Sequence, residues 1–405
     1  MSVQAGRITC LLLAALTMAG ADLGPVRASV GSESDCFGEF RYRFEWVDEE
    51  AFDVNARAST LLSRLGCRVS VGQRWELMAE GSSVLALGSD RYDPVGDPDR
   101  NRFPVVADPE DTRLARFSLR WLIAEGIALS AGRHRIKLDN DRFIGNVGWR
   151  QNEQTYDSLQ ISAERDQWTA FYAYVDRVNR IFDQDLSIGR HDHRSHLLNA
   201  SLKIADDHRF VAYFYDIDNR DAPVLANSTV GLRYLGGSEW DTRGVDWLAE
   251  IAYQQDTGRA PIDYSAKYFH LEATVDLNPA LRTQVGLERL EGSRRPGRAF
   301  RTPLATLHAF NGWADRFLTT PDRGLDDLYL GLLGRSGRMV WRVMLHEFRS
   351  EAGSQRYGRE LDASIAFPLD WDIHLLLKAA HFQRNDNQPF QDVTKLWAQL
   401  SWAWD

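Results

Sequence analysis

Lysine is scarce in this 405-residue chain: it occurs five times among 48 basic residues, which leaves 43 arginines. Cysteine occurs three times and proline 13 times. So few cysteines exclude a disulfide-dense scaffold and cannot by themselves frame a metal. So little proline argues against a Pro-rich linker protein. Past residue 21 no stretch offers eighteen consecutive apolar residues, which excludes a membrane-spanning helix there, and a mean hydropathy of −0.39 excludes a bundle of such helices. A net charge of −9 argues against a surface that binds nucleic acid throughout.

What is present is aromatic and ordered. Thirteen Trp, 13 Tyr and 19 Phe accompany 44 % hydrophobic and 26 % charged residues, the composition of a folded, β-rich chain. The arginine bias suits fixed, bidentate contacts to carboxylate or phosphate; a high-GC codon bias gives the same count.

The first 21 residues read as a signal peptide. Arg7 supplies a basic start, Ile8 to Gly20 is an apolar run too short for a stable span, and Ala19-Gly20-Ala21 fits the small-x-small cleavage pattern. Cys10 lies inside that run, so no lipoprotein signal is evident. Residues 22–405 are then one domain in an oxidising compartment, retaining Cys36 and Cys67, either bridged or as two free thiols. An antiparallel pairing of the first two strands brings both to the same periplasmic rim.

Alternation fills that domain. Phe40, Tyr42, Phe44 and Trp46 are apolar, while Arg41, Arg43 and Glu45 between them are charged, the period-two signature of a strand with one oily and one wet face. About eighteen such segments follow, the one at 326–333 weakly marked. Short links such as Arg165-Asp166-Gln167 and Asn278-Pro279-Ala280 alternate with longer polar stretches such as 89–111, 139–155 and 291–325. Short periplasmic turns and long outer loops are the asymmetry of a transmembrane antiparallel β-barrel, and a bilayer forces closure because it offers no partners to unpaired backbone groups. The expected fold is therefore an all-β barrel of about 18 strands in a Gram-negative outer membrane.

In a barrel this wide the wet face lines water, so function is read from the inward set. Parity assigns Arg41, Arg43, Arg116, Arg120, Arg133, Arg135, Lys137, Lys203, Arg233, Arg282, Arg342 and Lys378 to the lumen, together with Glu45, Glu164, Glu250, Glu272 and Glu288. Phase is ambiguous near Gly132, where Ile127/Leu129 and Ile136/Leu138 fall on opposite faces; a bulge there would reconcile them. A basic excess gives an anion-preferring pore, whereas mutually paired charges give a hydrated wall without preference.

Two segments depart from alternation. Residues 132–155 run from a strand into a Gly/Asn-rich loop, and residues 302–321 carry Leu304, Leu307, Phe310, Trp313, Phe317 and Leu318 where an outer loop should be polar. Together they resemble the signature segments of the alginate-export family of outer-membrane barrels. The resemblance implies an eighteen-stranded monomeric channel passing an anionic polysaccharide or its fragments. The tight link at 366–371 leaves little room for a periplasmic plug, a departure from gated polymer export. In the first segment Arg133, Arg135, Lys137, Arg142 and Arg150 stand beside Asp139, Asp141 and Glu153, donors and acceptors for a sugar carboxylate and its hydroxyls, or for a loop packed tightly against the wall. The second is expected to fold inward as a constriction, with Phe310 or Trp313 available to a sugar ring and Arg316 beside them.

His191, His193 and His196 lack the frame of a metal site, and no catalytic motif of hydrolases or phosphate loop is present. The expectation is a passive channel without cofactor or metal. Its partners are an anionic saccharide or other acidic solute, outer-membrane lipid and the barrel-assembly machinery, with no nucleic acid. A general diffusion porin is the alternative, and a barrel-embedded hydrolase a more remote one.

Overall fold

The computed structural model describes residues 32–240, 243–386 and 388–404. The signal peptide assigned to residues 1–21 lies outside the described residues. Eighteen antiparallel strands form a single sheet in which every strand pairs with its neighbours in sequence. The first strand, β1 (Ser32–Glu49), pairs with both β2 (Ala56–Val71) and β18 (Val393–Trp404), which closes the ring. The weakly marked segment is a full strand, β14 (Leu325–Ser336).

The barrel is inside out relative to a water-soluble protein. Leu198, Ile251, Leu328 and Leu345 are exposed on the outer face, while Arg43, Glu45, Glu250 and Glu360 are buried on the inner one. That inversion is what a bilayer selects, because lipid takes the apolar face and leaves the polar face to the lumen. At the periplasmic end Trp75 stacks on Trp121 and Phe40 on Trp402, the start of an aromatic girdle at the membrane interface. Gly236 and Gly334 belong to this girdle: a Cβ on either would collide with the indole of the neighbouring Trp247 or Trp341 lying across it.

The connections keep the expected asymmetry. Residues 125–126, 165–167, 206–207 and 279–280 are tight turns at one end, and the long connections lie at the other. Cys36, within β1, is directly opposite Cys67 of β2 and is joined to it by a disulfide, near the periplasmic end of both strands. The two longest segments between strands, L3 (residues 135–154) and L7 (residues 291–324), turn into the lumen and pack on the wall and on each other.

Phase at Gly132 is resolved without a bulge between β5 (Ile127–His134) and β6 (Thr155–Glu164), whose register is continuous. Gly132 has φ +125°, where a side chain would be strained, and the chain leaves the sheet after His134. Ile136 and Leu138 therefore belong to L3, and strand parity does not apply to them.

Candidate functional site

The arginines nearest the start of the chain hold L3. Arg41 donates to the carbonyls of Gly148 (2.9 Å) and Arg150 (3.1 Å), and Arg43 donates to the carbonyl of Trp149 at 2.6 Å. The Arg43 guanidinium also lies 4.0 Å from the centre of the Trp149 ring. Gln151 completes the anchor, donating its backbone N–H to Asp108 (2.7 Å) and its amide to Thr60 Oγ1 (2.9 Å). These residues were expected to line an open pore; they bind a loop that crosses it.

Behind this anchor the charges neutralise one another. Glu80 is shared by Arg64, Arg116 and Arg135. Glu153 takes Arg135 and an amide proton from Asn146 (2.8 Å), with Arg64 at 3.8 Å. Burial pushes the Glu153 carboxyl up, yet Arg64 and Arg135 hold it below its ordinary range.

L7 meets L3 in mid-lumen. Ile144 and Leu304 form a parallel bridge, Gly145 N–H donates to the Leu304 carbonyl (2.8 Å), and Thr306 N–H donates to that of Asp141 (2.9 Å). Arg142 crosses to the far wall, donating to Glu288 (2.6 Å), Thr302 (3.3 Å) and Asn311 (3.1 Å), with Phe310 4.8 Å from its guanidinium carbon. Phe143 fills the space below with Tyr213, Tyr268 and Phe300.

The tip of L7 is fixed by a buried ionic hub. Asp315 accepts from His308 Nδ1 (2.7 Å), Lys395 (2.7 Å) and Arg150 (3.1 Å). Burial opposes its charge, but these three cations and donors hold the Asp315 carboxyl well below its ordinary value. Lys378 donates to His308 Nε2 at 2.6 Å and sits 3.7 Å and 4.2 Å from the ring centres of Trp313 and Trp149. On the other side the amides of Trp313 and Ala314 donate to Asp362 (3.1 Å) and Glu360 (2.6 Å). The inward constriction is present, and both rings proposed for sugar stacking already carry a cation.

Several expected positions differ. Arg133 is not in the lumen: it pairs in register with the outward-facing Phe117 and forms a bidentate ion pair with Asp157 (2.7 and 3.0 Å) on the outer face, because the alternation of Ile127 and Leu129 runs on through Gly132 to Arg133. Lys137 is half exposed beside Asp141 at 3.2 Å. Asp139 is exposed, and its carboxylate accepts from Asn199 (2.8 Å) and the Tyr215 hydroxyl (3.4 Å), which tie L3 to the wall. Arg282 pairs with Asp246 and Asp276, Lys203 with Asp206, and Arg316 with Glu49 at 2.9 Å, so none of the three is free for a solute. Arg120 is exposed, lies on the same face of β4 (Asp111–Ala124) as Arg116, and has no ion pair among the described residues.

The histidine cluster lies in β8 (Arg190–Ala205). Parity splits it: His191 and His193 are buried against Asn219 and Ser195, while His196 faces outward beside Tyr172 and Tyr174. His193 and Ser195 lie 2.9 Å apart, but His193 Nε2 has no hydrogen-bond partner among the described residues, so no third group orients the pair as hydrolysis needs.

Beside the L3–L7 contact lies a cavity of about 240 Å³. Its wall includes Arg233, His270, Glu272, Glu288, Asp327, Tyr329, Arg342 and His346, and its roof is Phe310-Asn311-Gly312-Trp313. Most of these groups are committed: Glu288 to Arg142, Asp327 to His346 (2.9 Å), and Glu272 to the Tyr329 hydroxyl (2.6 Å). Arg342 has no hydrogen bond or ion pair among the described residues, and Arg233 keeps two buried nitrogens without partners and Glu250 only at 3.9 Å. Sequence reasoning missed Arg64, Glu80, Asp108, His308, Asp315, Glu360, Asp362 and Lys395. The strand members among them alternate correctly, but their importance comes from loop contacts that no local pattern announces.

No family model matches this chain, and no curated protein matches it. Solved structures do. The structure superposes on OccK9 (OpdG) of Pseudomonas aeruginosa with a TM-score of 0.72 at 12 % identity, over 92 % of this chain and 98 % of that one. OccAB4 of Acinetobacter baumannii gives 0.70 at 11 % identity, over 91 % and 98 %. The outer-membrane protein OpdK of P. aeruginosa gives 0.67 at 12 % identity, over 91 % and 99 %. The fold is that of the outer-membrane porins. The comparisons do not support the alginate-export resemblance drawn from residues 132–155 and 302–321; the porin barrel is what stands.

Proposed function

We propose that this chain is a passive outer-membrane channel for small acidic solutes, sugar acids among them, narrowed at the cavity beside the L3–L7 contact. The observation that carries this reading is the cavity's chemistry. A sugar acid has one carboxylate, several hydroxyls and an apolar ring face. The cavity offers one uncommitted guanidinium, Arg342, a second under-used one, Arg233, the carboxylate oxygen of Glu272 that the Tyr329 hydroxyl leaves over, and the edge of Phe310 and Trp313. Its volume lies just under the roughly 300 Å³ at which pockets for drug-sized molecules begin, so it fits a single ring. The zipped loops argue for such solutes over the anionic polysaccharide that the family resemblance implied. A structure of OpdK holds vanillate, itself a small carboxylate, which is consistent with this reading.

A general diffusion porin is the second reading, favoured by the extensive pairing of lumen charges around Glu80, Glu153 and Asp315. Reversal potentials in planar bilayers under a KCl gradient separate the two. An anion preference that shrinks in Arg342→Gln supports the acidic-solute channel. Zero reversal potential in the wild type leaves the general porin.

A further inference from the structure

We propose that the outer face of β15 (Met339–Arg349) and β16 (Arg356–Pro368) binds a phosphate-bearing lipid of the outer leaflet, with Arg349, Arg356 and Arg359 on its phosphate and the groove below on its acyl chains. The proposal rests on the barrel spanning an outer membrane, though not on which solute it passes.

Glu347 and Arg359 are directly paired across the two strands and point away from the lumen, as do Leu345 and Leu361 one step further towards the periplasm. Three arginines converge on the single Glu347 carboxylate: Arg349 at 2.8 Å, Arg359 at 2.8 Å and Arg356 at 3.5 Å. One carboxylate cannot neutralise three guanidinium groups, so the cluster keeps a net charge of +2. The exposures are also uneven. The arginine side chains are 43, 56 and 67 % exposed, whereas Glu347 is 19 % exposed and lies beneath them. The surface therefore presents donors outward with their one acceptor tucked below, and several N–H groups remain for a second anion.

The cluster stands at the extracellular end of its strands, the level of the outer-leaflet headgroups. Directly below it an outward-facing groove of about 600 Å³ crosses from β13 (Leu281–Leu290) to β17 (His374–Arg384). Leu328, Leu330, Leu345, Leu361 and Val285 line it, all exposed on the lipid side. Acyl chains fill such a groove in any bilayer; the arginines add a reason for one headgroup to stay. A guanidinium at the edge of a low-dielectric layer binds phosphate bidentately and is screened less than one in open water. Charge above and hydrocarbon below, on adjacent strands, match an amphiphile with a phosphorylated headgroup and match neither a free anion nor a neutral lipid.

The test uses the folded, detergent-solubilised barrel and native mass spectrometry with bis-phosphorylated lipid A, its fully dephosphorylated form, and millimolar inorganic phosphate as competitor. Wild type should retain the phosphorylated lipid at least tenfold better than the dephosphorylated one, with little competition from inorganic phosphate. R356Q/R359Q should lose that preference while keeping wild-type conductance, which separates failure of the lipid site from failure of the channel. E347Q removes the same ion pairs but frees all three arginines, so it should bind the phosphorylated lipid as well as wild type or better. Equal retention of the two lipids by wild type, unchanged retention by R356Q/R359Q, loss of binding in E347Q, or full competition by inorganic phosphate would overturn the proposal.

Discussion

Arg142, in L3, donates a 2.6 Å hydrogen bond to Glu288 of β13, a residue 146 positions away and six strands round the barrel from the Arg41 and Arg43 anchor on β1. The two contacts make L3 a strut across the barrel. Both partners of the Arg142–Glu288 pair are buried, so each charge depends on the other. Arg142→Ala strands the carboxylate, and the expected cost is about 3 to 5 kcal/mol of stability, read as a lower urea midpoint. Single-channel conductance should rise in the same variant as L3 and L7 part. An unchanged midpoint and unchanged conductance would show that the strut carries no strain-bearing role.

The barrel was legible in the sequence because alternation such as Phe40/Arg41/Tyr42/Arg43 is local: each residue's face follows from its neighbours. Arg41, Arg43, Arg116 and Lys378 were placed on the correct face for that reason. The task of Arg41, Arg43 and Lys378 was not legible, because it is set by L3 and L7 carbonyls and rings more than 60 residues away. Arg133 was misplaced because an inward assignment follows the phase of Ile136 and Leu138, which lie beyond the end of β5, whereas a count by twos from Ile127 and Leu129 puts it outside. The histidine cluster is split by the same local parity, and its inward members take their partners from Asn219, in the connection at residues 218–226, and from Ser195 on β8 itself.

Acid should loosen the tip of L7. His308 lies in that loop, and burial holds its ring well below the ordinary histidine value, against the pull of Asp315 and with the help of Lys378. The folded state therefore binds fewer protons than the unfolded chain below about pH 6.5, so this contribution is fully present above that pH and declines as the pH falls beneath it. Asp315, held well below its ordinary value, adds a second loss at still lower pH, below about 3.9. Open-channel noise and conductance should increase from pH 7.5 to 5.0, and His308→Gln, which cannot titrate, should flatten the change. A profile identical in the variant would assign the pH response to other lumen groups.

Recognition of an acidic solute at Arg342 should depend on salt. Glucuronate added to one side should block the channel more strongly than glucose at 0.1 M KCl, and the difference should shrink at 1 M, where the Debye length falls from about 10 to 3 Å. Arg342→Gln should bring glucuronate block down to the level of glucose at both ionic strengths. Equal block by the two sugars in the wild type would mean that the cavity sorts by size alone.

The disulfide between Cys36 and Cys67 should stabilise the barrel without touching conduction. Both residues share the outward face of β1 and β2 with Phe40 and Leu65, away from the L3–L7 contact in the lumen. The native strands are already paired residue by residue around the bond, so its main effect falls on the unfolded chain, where it closes a loop of sequence separation 31. Chain-entropy scaling puts that effect at about 3 to 4 kcal/mol. Reduction, or Cys36→Ser with Cys67→Ser, should lower the unfolding midpoint in urea and leave single-channel conductance unchanged. A change in conductance on reduction would show that β1 and β2 transmit their register to the Arg41 and Arg43 anchor, and so to L3.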